Sequence, residues 1–169
     1  MQQKRVSEST TTMTQIVLPN DTNPLGNLFG GQLLAWMDLA SSVASKRHSE
    51  GIVVTASVNN VSFNVPIPLG SVVTLEANVT RAFNTSMEVF VDVWVEDRSG
   101  KDKFKANTAI YIFAALDEEG NKRKVPEILP ETDEEMKRYK SALRRREMSL
   151  ILAGKLKPKH ATELRALFE

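Results

Sequence analysis

The spacing of hydrophobic residues along the chain changes once, near residue 51. Before that point, between residues 31 and 45, apolar side chains recur every three or four positions, as on the buried face of a helix: Leu33, Trp36, Met37, Ala40, Val43 and Ala44. After it, apolar and polar residues alternate, which is typical of half-buried strands. The sequence therefore predicts one long, mostly buried helix that ends near His48, with Gly51 as its stop signal, followed by strands.

One short strand is predicted before the helix and four after it. We expect residues 1–12 to form a loose polar lead-in, and the strands to cover 14–18, 52–65, 73–79, 87–95 and 104–116. The last strand is apolar or small on both faces, which places it in the middle of a sheet. Because helices and strands do not alternate, the fold class is α+β, with a curved antiparallel sheet wrapped around the central helix.

The chain becomes strongly charged beyond Asp117. The segment from Thr132 to Glu135 has the form of a capping box and opens an amphipathic helix that is expected to end near Gly154. We interpret residues 1–130 as one domain and residues 131–169 as a C-terminal helical extension to it.

Composition excludes several classes of protein. With 169 residues, 41% of them hydrophobic, the chain is long enough for one domain with a real core, and its net charge of +1 gives no general reason to bind nucleic acid or membranes. Without cysteine and with only two histidines, a metal centre would lack ligands, so neither a metal nor a cofactor is expected. No run reaches the ~18 apolar residues of a membrane span. We expect a cytoplasmic protein without membrane insertion.

Asp38 is the candidate for chemistry. It is the single ionisable residue between Asp21 and Lys46, and it follows the glycines Gly30 and Gly31 by about two helical turns. A helix entry leaves unpaired amide N–H groups and a positive helix end. An isolated acid in such apolar surroundings is a candidate site residue, although an acid that faces solvent or pairs with a lysine or arginine is the plainer alternative.

Three separated segments carry a family resemblance. The run Pro19 to Asp38, PNDTNPLGNLFGGQLLAWMD, closely resembles the signature of bacterial acyl-CoA thioesterases of the hotdog fold. Further matches are Ser57-Val-Asn-Asn-Val-Ser-Phe63, followed by Pro66 and Gly70, and Thr80-Arg81 with Thr85-Ser86-Met87. The chain departs from the family pattern at Val65, Ser71 and Phe83. Together the matches extend over about residues 13 to 130 and leave the C-terminal extension outside.

The resemblance implies an enzyme that hydrolyses fatty acyl-CoA to free fatty acid and CoA. It also implies a homodimer with active sites at the subunit interface, often assembled further as a trimer of dimers. Asp38 would be a general base for water or a nucleophile that forms an anhydride, and the sequence leaves both roles open. The amides of Gly30 or Gly31 would hold the oxyanion. The resemblance further implies that Asn23 of one subunit completes the site around Asp38 of the other.

Two segments are candidates for binding the CoA portion of the substrate. Ser57, Val58, Asn59 and Asn60 would pair with pantetheine amides as an added strand does, and Arg81, Thr85 and Ser86 would offer donors to a pyrophosphate. An ordinary sheet segment and a polar hairpin are the respective alternatives. For the run Arg144 to Arg146, a solvated helix face is favoured over contact with CoA phosphates. Phe90 and Trp94 are expected to pack against a subunit or the C-terminal helix.

The alternatives to a thioesterase are a hydrolase with a catalytic triad, a non-catalytic binding protein and an RNA-binding protein. The sequence has no G-x-S-x-G motif, and His48 has no serine or cysteine partner, which argues against a hydrolase triad. A non-catalytic acyl-CoA-binding regulator with the same fold is the competing hypothesis, and RNA binding by the arginine-rich extension is a third.

Overall fold

The fold is built on one long helix packed against a five-stranded sheet. The computed structural model describes residues 3–59 and 61–168. The helix, α1, spans Gly30–Ser49, and the strands are β1 (Gln3–Arg5), β2 (Thr11–Ile16), β3 (Ile52–Asn59), β4 (Val72–Ala82), β5 (Ser86–Glu96), β6 (Lys103–Leu116) and β7 (Glu127–Leu129). Two further helices, α2 (Asp133–Leu152) and α3 (Thr162–Arg165), follow.

The main sheet is antiparallel, in the order β2-β4-β5-β6-β3, and curls around α1. This confirms the predicted hotdog fold, including the interior position of β6 between β5 and β3. Strands β1 and β7 form a separate parallel pair.

The core lies between α1 and the concave face of the sheet. Every second residue of β4 and β5 is at most 1% exposed there: Val73, Leu75, Ala77, Val79, Met87, Val89, Val91, Val93 and Val95. They pack in one cluster with Trp36, Met37, Ala40 and Ala44 of α1. The alternation and the helical periodicity seen in the sequence are therefore confirmed as two sides of the same core.

The prediction of a loose lead-in for residues 1–12 is wrong for the part that the structure describes. Strand β2 starts at Thr11, earlier than predicted, and pairs with β4, and Gln3–Arg5 pair with β7. Ser9 is fully buried and accepts a hydrogen bond of 2.9 Å from the Val79 amide. The strand predicted over 14–18 overlaps β2, whereas its early start and β1 were not predicted. Polar side chains concealed these parts, because a strand at a sheet edge is held by backbone bonds that any residue can make.

The predicted end of α1 is off by one residue. Glu50, and not Gly51, takes the left-handed conformation, with φ of 55°. Its amide bonds the Lys46 carbonyl at 2.8 Å, and its carboxylate pairs with Lys4 at 2.5 Å. Glu50 thus adopts a backbone conformation that glycine would adopt more readily, and at the same time its side chain pairs with Lys4 of the N-terminal segment. The strand predicted to reach residue 65 is also shorter, because β3 ends at Asn59.

Helix α2 lies against the convex face of the sheet. Its predicted capping box is confirmed, since the Glu135 amide donates to Thr132 Oγ1 and the Thr132 amide donates to Glu135 Oε2. Arg145 donates to both carboxylate oxygens of Glu88, at 2.9 and 2.7 Å, and Glu88 is only 1% exposed. The interpretation of the arginine run as a solvated face is therefore wrong for Arg145.

Two further contacts join α2 to the same face. Arg138 stacks over the ring of Phe90 at 4.1 Å and pairs with Asp92 at 2.9 Å. Phe90 thus packs against the C-terminal helix, one of the two alternatives, whereas Trp94 lies under Lys105. The extension is bonded to the sheet and is not a separate body.

We expect Arg145→Ala to destabilise the protein by about 3 kcal/mol, because removing one partner leaves the buried Glu88 carboxylate unpaired. Chemical denaturation measures the loss. Lys137→Ala removes one positive charge from an exposed position of the same helix and should change the free energy of unfolding by less than about 0.5 kcal/mol. Equal stability of the two variants would contradict the role of the Arg145–Glu88 pair.

His48 connects the end of α1 to the residues before β7. It is fully buried, and its Nε2 lies 2.8 Å from the Pro126 carbonyl oxygen, to which it must donate. Burial lowers the pKa of His48, and the charge of Lys4 acts in the same direction, against the opposing carboxylates of Glu8 and Glu50. The folded protein therefore holds His48 neutral at a pH at which the unfolded chain already protonates it.

Because unfolding takes up this proton, stability should fall as the pH drops below about 6.5, by up to about 1.4 kcal/mol per pH unit, until the lowered pKa is reached. Urea unfolding of wild type and His48→Gln over this range measures the effect, and the variant should lose this part of the slope. His160→Gln, which replaces the other, exposed histidine, should keep it. A slope unchanged in His48→Gln would refute the assignment.

Candidate active site

Asp38 lines an open cleft of about 680 Å³ beside α1. The other lining residues come from α1, β3, the segment that follows β3, and β6: Gly31, Leu34, Ala35, Val58, Val61, Phe63 and Tyr111. Asp38 is half-buried in the single chain. The cleft is thus apolar apart from a carboxylate, a tyrosine and the start of a helix.

The cleft contains Gly31 and Asp38 because they are seven residues apart on α1, which is close to two turns. Phe29 offers no side-chain cap, and the first helical bonds run from the Gln32 and Leu33 amides to the Phe29 carbonyl, so the Gly30 and Gly31 amides precede them. The first turn also carries no acidic residue. Helical side chains lean towards the N-terminus, so the carboxylate lies back towards these amides.

Thr55 holds the Asp38 carboxylate. Its hydroxyl donates to Asp38 Oδ1 at 2.7 Å, from the neighbouring strand β3. The sequence analysis did not identify Thr55, and the reason is an irregularity in β3. The register against β6 shifts between Thr55, opposite Phe113, and Ser57, opposite Ile112. In a regular strand Thr55 and Ser57 would share a face, whereas this bulge places them on opposite faces.

Tyr111 is the second site residue that the sequence analysis missed. Its hydroxyl donates to the carbonyl of Leu34 at 3.0 Å, one turn before Asp38, and the residue is 1% exposed. Burial, and to a smaller extent the nearby charge of Asp38, raises the pKa of Tyr111. The phenol therefore stays protonated at neutral pH and donates the bond that fixes α1 to β6. Its position on the concave face follows from the strand register, which no sequence motif marks.

Asn23 and Gly30 lie in a neighbouring cleft of about 410 Å³. Asn23 Oδ1 accepts from the amides of Leu25 and Asn27, at 3.0 and 3.2 Å, and so shapes the loop before α1. Phe63 lines both clefts. Within one chain, therefore, Asn23 and Asp38 do not line the same cleft.

The predicted pantetheine segment is divided between the two faces of the sheet. Val58 lines the Asp38 cleft, whereas Ser57 and Asn59 line a crevice beneath α2 on the convex face. Asn60 lies outside the described residues. The division follows from strand geometry, since successive side chains point to opposite faces.

The predicted pyrophosphate donors lie at the hairpin between β4 and β5. Arg81 donates to the Tyr139 carbonyl at 3.0 Å, and its guanidinium stacks on the Tyr139 ring at 4.0 Å. The carbonyls of Thr85 and Ser86 accept from the amides of Ala115 and Phe83. In the single chain, Arg81 is thus already bonded to α2.

The described residues contain neither a metal-binding cluster nor a membrane-spanning helix. Residues 3–59 and 61–168 contain no group of three or more histidine, aspartate or glutamate side chains placed to hold a metal ion. Within the same residues, no helix combines the length and the apolar character that crossing a bilayer requires.

Replacing Tyr111 tests the bond between β6 and α1. Tyr111→Phe should lower the free energy of unfolding by about 1 kcal/mol, because it deletes one buried hydrogen bond and keeps the ring. Tyr139→Phe is the matched control, since the other tyrosine uses its ring and its carbonyl in its contacts with Arg81. Urea titrations of both variants measure the difference, and equal losses would contradict the role of the Tyr111 hydroxyl.

Comparisons with known proteins identify thioesterases as similar to this chain. Residues 25–100 match the family model described as the thioesterase superfamily. The uncharacterized acyl-CoA thioester hydrolase YkhA of Bacillus subtilis is 39% identical over 138 residues, covering 82% of this chain and 80% of YkhA. Acyl-coenzyme A thioesterase 11 of Mus musculus is 39% identical over 145 residues, which are 86% of this chain but only 24% of that protein.

A solved structure extends the similarity to three dimensions. The acyl-CoA hydrolase of Staphylococcus aureus, crystallised with butyryl coenzyme A and coenzyme A, superposes with a TM-score of 0.82 at 34% identity, and covers 90% of this chain and 95% of that one. The sheet wrapped around one helix and the glycine turn before Asp38 agree with the family indicated by these matches. The chain belongs to the thioesterase superfamily, among the hotdog-fold acyl-CoA thioester hydrolases.

Proposed function

We propose that this protein hydrolyses fatty acyl-CoA to a free fatty acid and CoA, with Asp38 as the acid-base or nucleophilic group. The observation that carries the proposal is the shared cleft of Asp38 and Gly31, in which Thr55 holds the carboxylate at 2.7 Å. A thioester carbonyl bound between them would have an amide donor at its oxygen and a carboxylate near its carbon.

In the general-base route, Asp38 takes a proton from water as the water oxygen attacks the thioester carbon. The Gly31 amide, which belongs to the same cleft as Asp38, stabilises the negative oxygen, an effect worth on the order of a hundredfold per donor. The C–S bond then breaks, the fatty acid forms, and the proton passes from Asp38 to the departing CoA thiolate. In the nucleophilic route, the Asp38 carboxylate attacks the thioester carbon, the C–S bond breaks and the CoA thiolate leaves, and water then hydrolyses the resulting anhydride to the fatty acid and Asp38, releasing a proton that the thiolate can take up.

A single turnover in heavy-oxygen water tests for the nucleophilic route, because only that route places the label in Asp38. Direct attack by water places the label in the fatty acid, as does water addition at the acyl carbon of the anhydride. Attack by Asp38, followed by water addition at the aspartyl carbon of the anhydride, places it in Asp38 and leaves the first molecule of fatty acid unlabelled.

The solved relatives support the choice of residues. Structures have been solved of variants of the S. aureus hydrolase in which one asparagine, one aspartate or one threonine is replaced by alanine. In that hydrolase the three residues are separated by 15 and 17 positions. Asn23, Asp38 and Thr55 have the same two separations here. The agreement supports Thr55 as a partner of Asp38, and Asn23 as a member of the site.

The proposal includes a homodimer in which Asn23 of one subunit reaches the Asp38 cleft of the other. It is supported by the separation of the two clefts within one chain and by the exposed apolar surface beside them. That surface includes Leu39 and Val43 of α1, Val58 of the edge strand β3 and Phe63 of the segment after β3. Crystal structures of related thioesterases, among them y2039 from Yersinia pestis, are of hexamers, and we propose a trimer of dimers here.

Replacing Asp38 tests the proposal. Asp38→Asn keeps the size of the side chain and should lower kcat for acyl-CoA hydrolysis by about 10² to 10⁴, because the variant has neither a base nor a nucleophile. Release of the CoA thiol, measured across a panel of acyl chain lengths, gives the rate. Asp102→Asn, at an exposed position in the β5–β6 hairpin, should leave the rate unchanged.

The same assay also tests the competing hypothesis of a non-catalytic acyl-CoA-binding regulator. Equal rates in wild type and Asp38→Asn would end the assignment of Asp38. Binding of acyl-CoA without any thiol release by the wild-type protein would favour the regulator.

A further inference from the structure

The convex face of the sheet carries a small crevice that the proposed chemistry does not use. A row of paired residues crosses this face from Arg81 through Glu88 and Ile112 to Ser57. Where α2 lies over the row, it leaves a partly enclosed space of about 40 Å³. Its polar lining comes from three elements: Glu88 of β5, Ser57 and Asn59 of β3, and Arg145, Arg146 and Ser149 of α2. We refer to it as the α2 crevice.

The α2 crevice has one positive charge that no carboxylate offsets. Glu88 receives two hydrogen bonds from Arg145 and one of 2.7 Å from the Thr80 hydroxyl, so this buried acid is already satisfied. Arg146 contacts the ring of Phe83 at 5.2 Å and forms no ion pair with a carboxylate in the described part of the chain. A guanidinium, two hydroxyls and an amide around one enclosed space are the groups that bind a phosphoryl group.

The size of the crevice limits which chemical groups can bind in it. A space of about 40 Å³ has room for a few water-sized groups, which suits a phosphoryl group but not a nucleobase. Its position connects it to the Asp38 cleft, because Asn59 ends β3 on the crevice side while Val58 and Val61 line the cleft on the other side. A ligand that passes the end of β3 would contact both.

We propose that the α2 crevice binds a phosphate group of the CoA portion of the substrate, with Arg146 as the main cation. The proposal rests on the proposed function, and it gives the C-terminal helix a direct part in substrate binding. A free nucleotide carries the same phosphate chemistry, so the test must separate phosphates attached to the substrate from phosphates of another molecule.

The test compares an acyl-CoA with the corresponding acyl-pantetheine, which has the same thioester but no phosphate. For Arg146→Ala, KM for acyl-CoA should rise about tenfold with kcat unchanged, as expected for the loss of a charge-assisted bond used in binding. KM for acyl-pantetheine should stay at its wild-type value. Arg146→Lys should recover part of the loss, and Lys137→Ala, an equal change of charge outside the crevice, should behave as wild type.

The other possible results of these measurements are also decisive. An unchanged KM for acyl-CoA in Arg146→Ala, or an equal rise for both substrates, overturns the proposal and leaves the proposed function intact. If the wild-type protein hydrolyses neither substrate, the proposed function fails, and calorimetric binding of CoA to wild type and Arg146→Ala still tests the crevice. ADP should compete with acyl-CoA in the wild type and compete less in Arg146→Ala. An effect of ADP on kcat alone would assign the crevice to a regulatory nucleotide and overturn the assignment to the substrate.

Discussion

The burial of α1 against the concave face of the sheet is the constraint on which the rest of the structure depends. A helix so enclosed can expose only the side that the sheet does not cover, and Gly31 and Asp38 lie on that side, two turns apart. Tyr111 fixes the same helix to β6 through the Leu34 carbonyl. The packing that stabilises the domain therefore also sets the separation between an amide donor and a carboxylate, without any flexible loop between them.

The edge strand β3 contributes to two binding surfaces because it is irregular. Its bulge allows Thr55 to reach Asp38 on one face while Ser57 and Asn59 face α2 on the other. A regular strand would have aligned Thr55 with Ser57. One inserted residue thus decides which side chains meet the carboxylate and which line the α2 crevice, in keeping with the frequent placement of bulges beside active sites.

The C-terminal extension is bonded to the domain by charges on the convex face. A carboxylate as buried as Glu88 is costly unless it is paired, and Arg145 and Thr80 supply its partners. While Arg145 pairs with Glu88, its neighbour Arg146 contacts the ring of Phe83 and has no ion pair among the described residues. Arg145 is paired with Glu88, whereas Arg146 remains able to bind an anion. The number of charges along the helix does not reveal this difference.

The sequence by itself determined the features that depend on local pattern. Helical spacing around Trp36 and Met37, alternation from Met87 to Val95 and the capping box at Thr132 predicted α1, β5 and the start of α2, because burial of one face imposes its period on the chain. The glycine turn before Asp38 pointed to the candidate site for the same local reason. Only the tertiary structure decided what depends on pairing across the fold. The pairing of β1 with β7, the bulge that brings Thr55 to Asp38 and the burial of Glu88 under α2 all arise from contacts between segments far apart in sequence. Such contacts leave no periodic trace in the residues that make them.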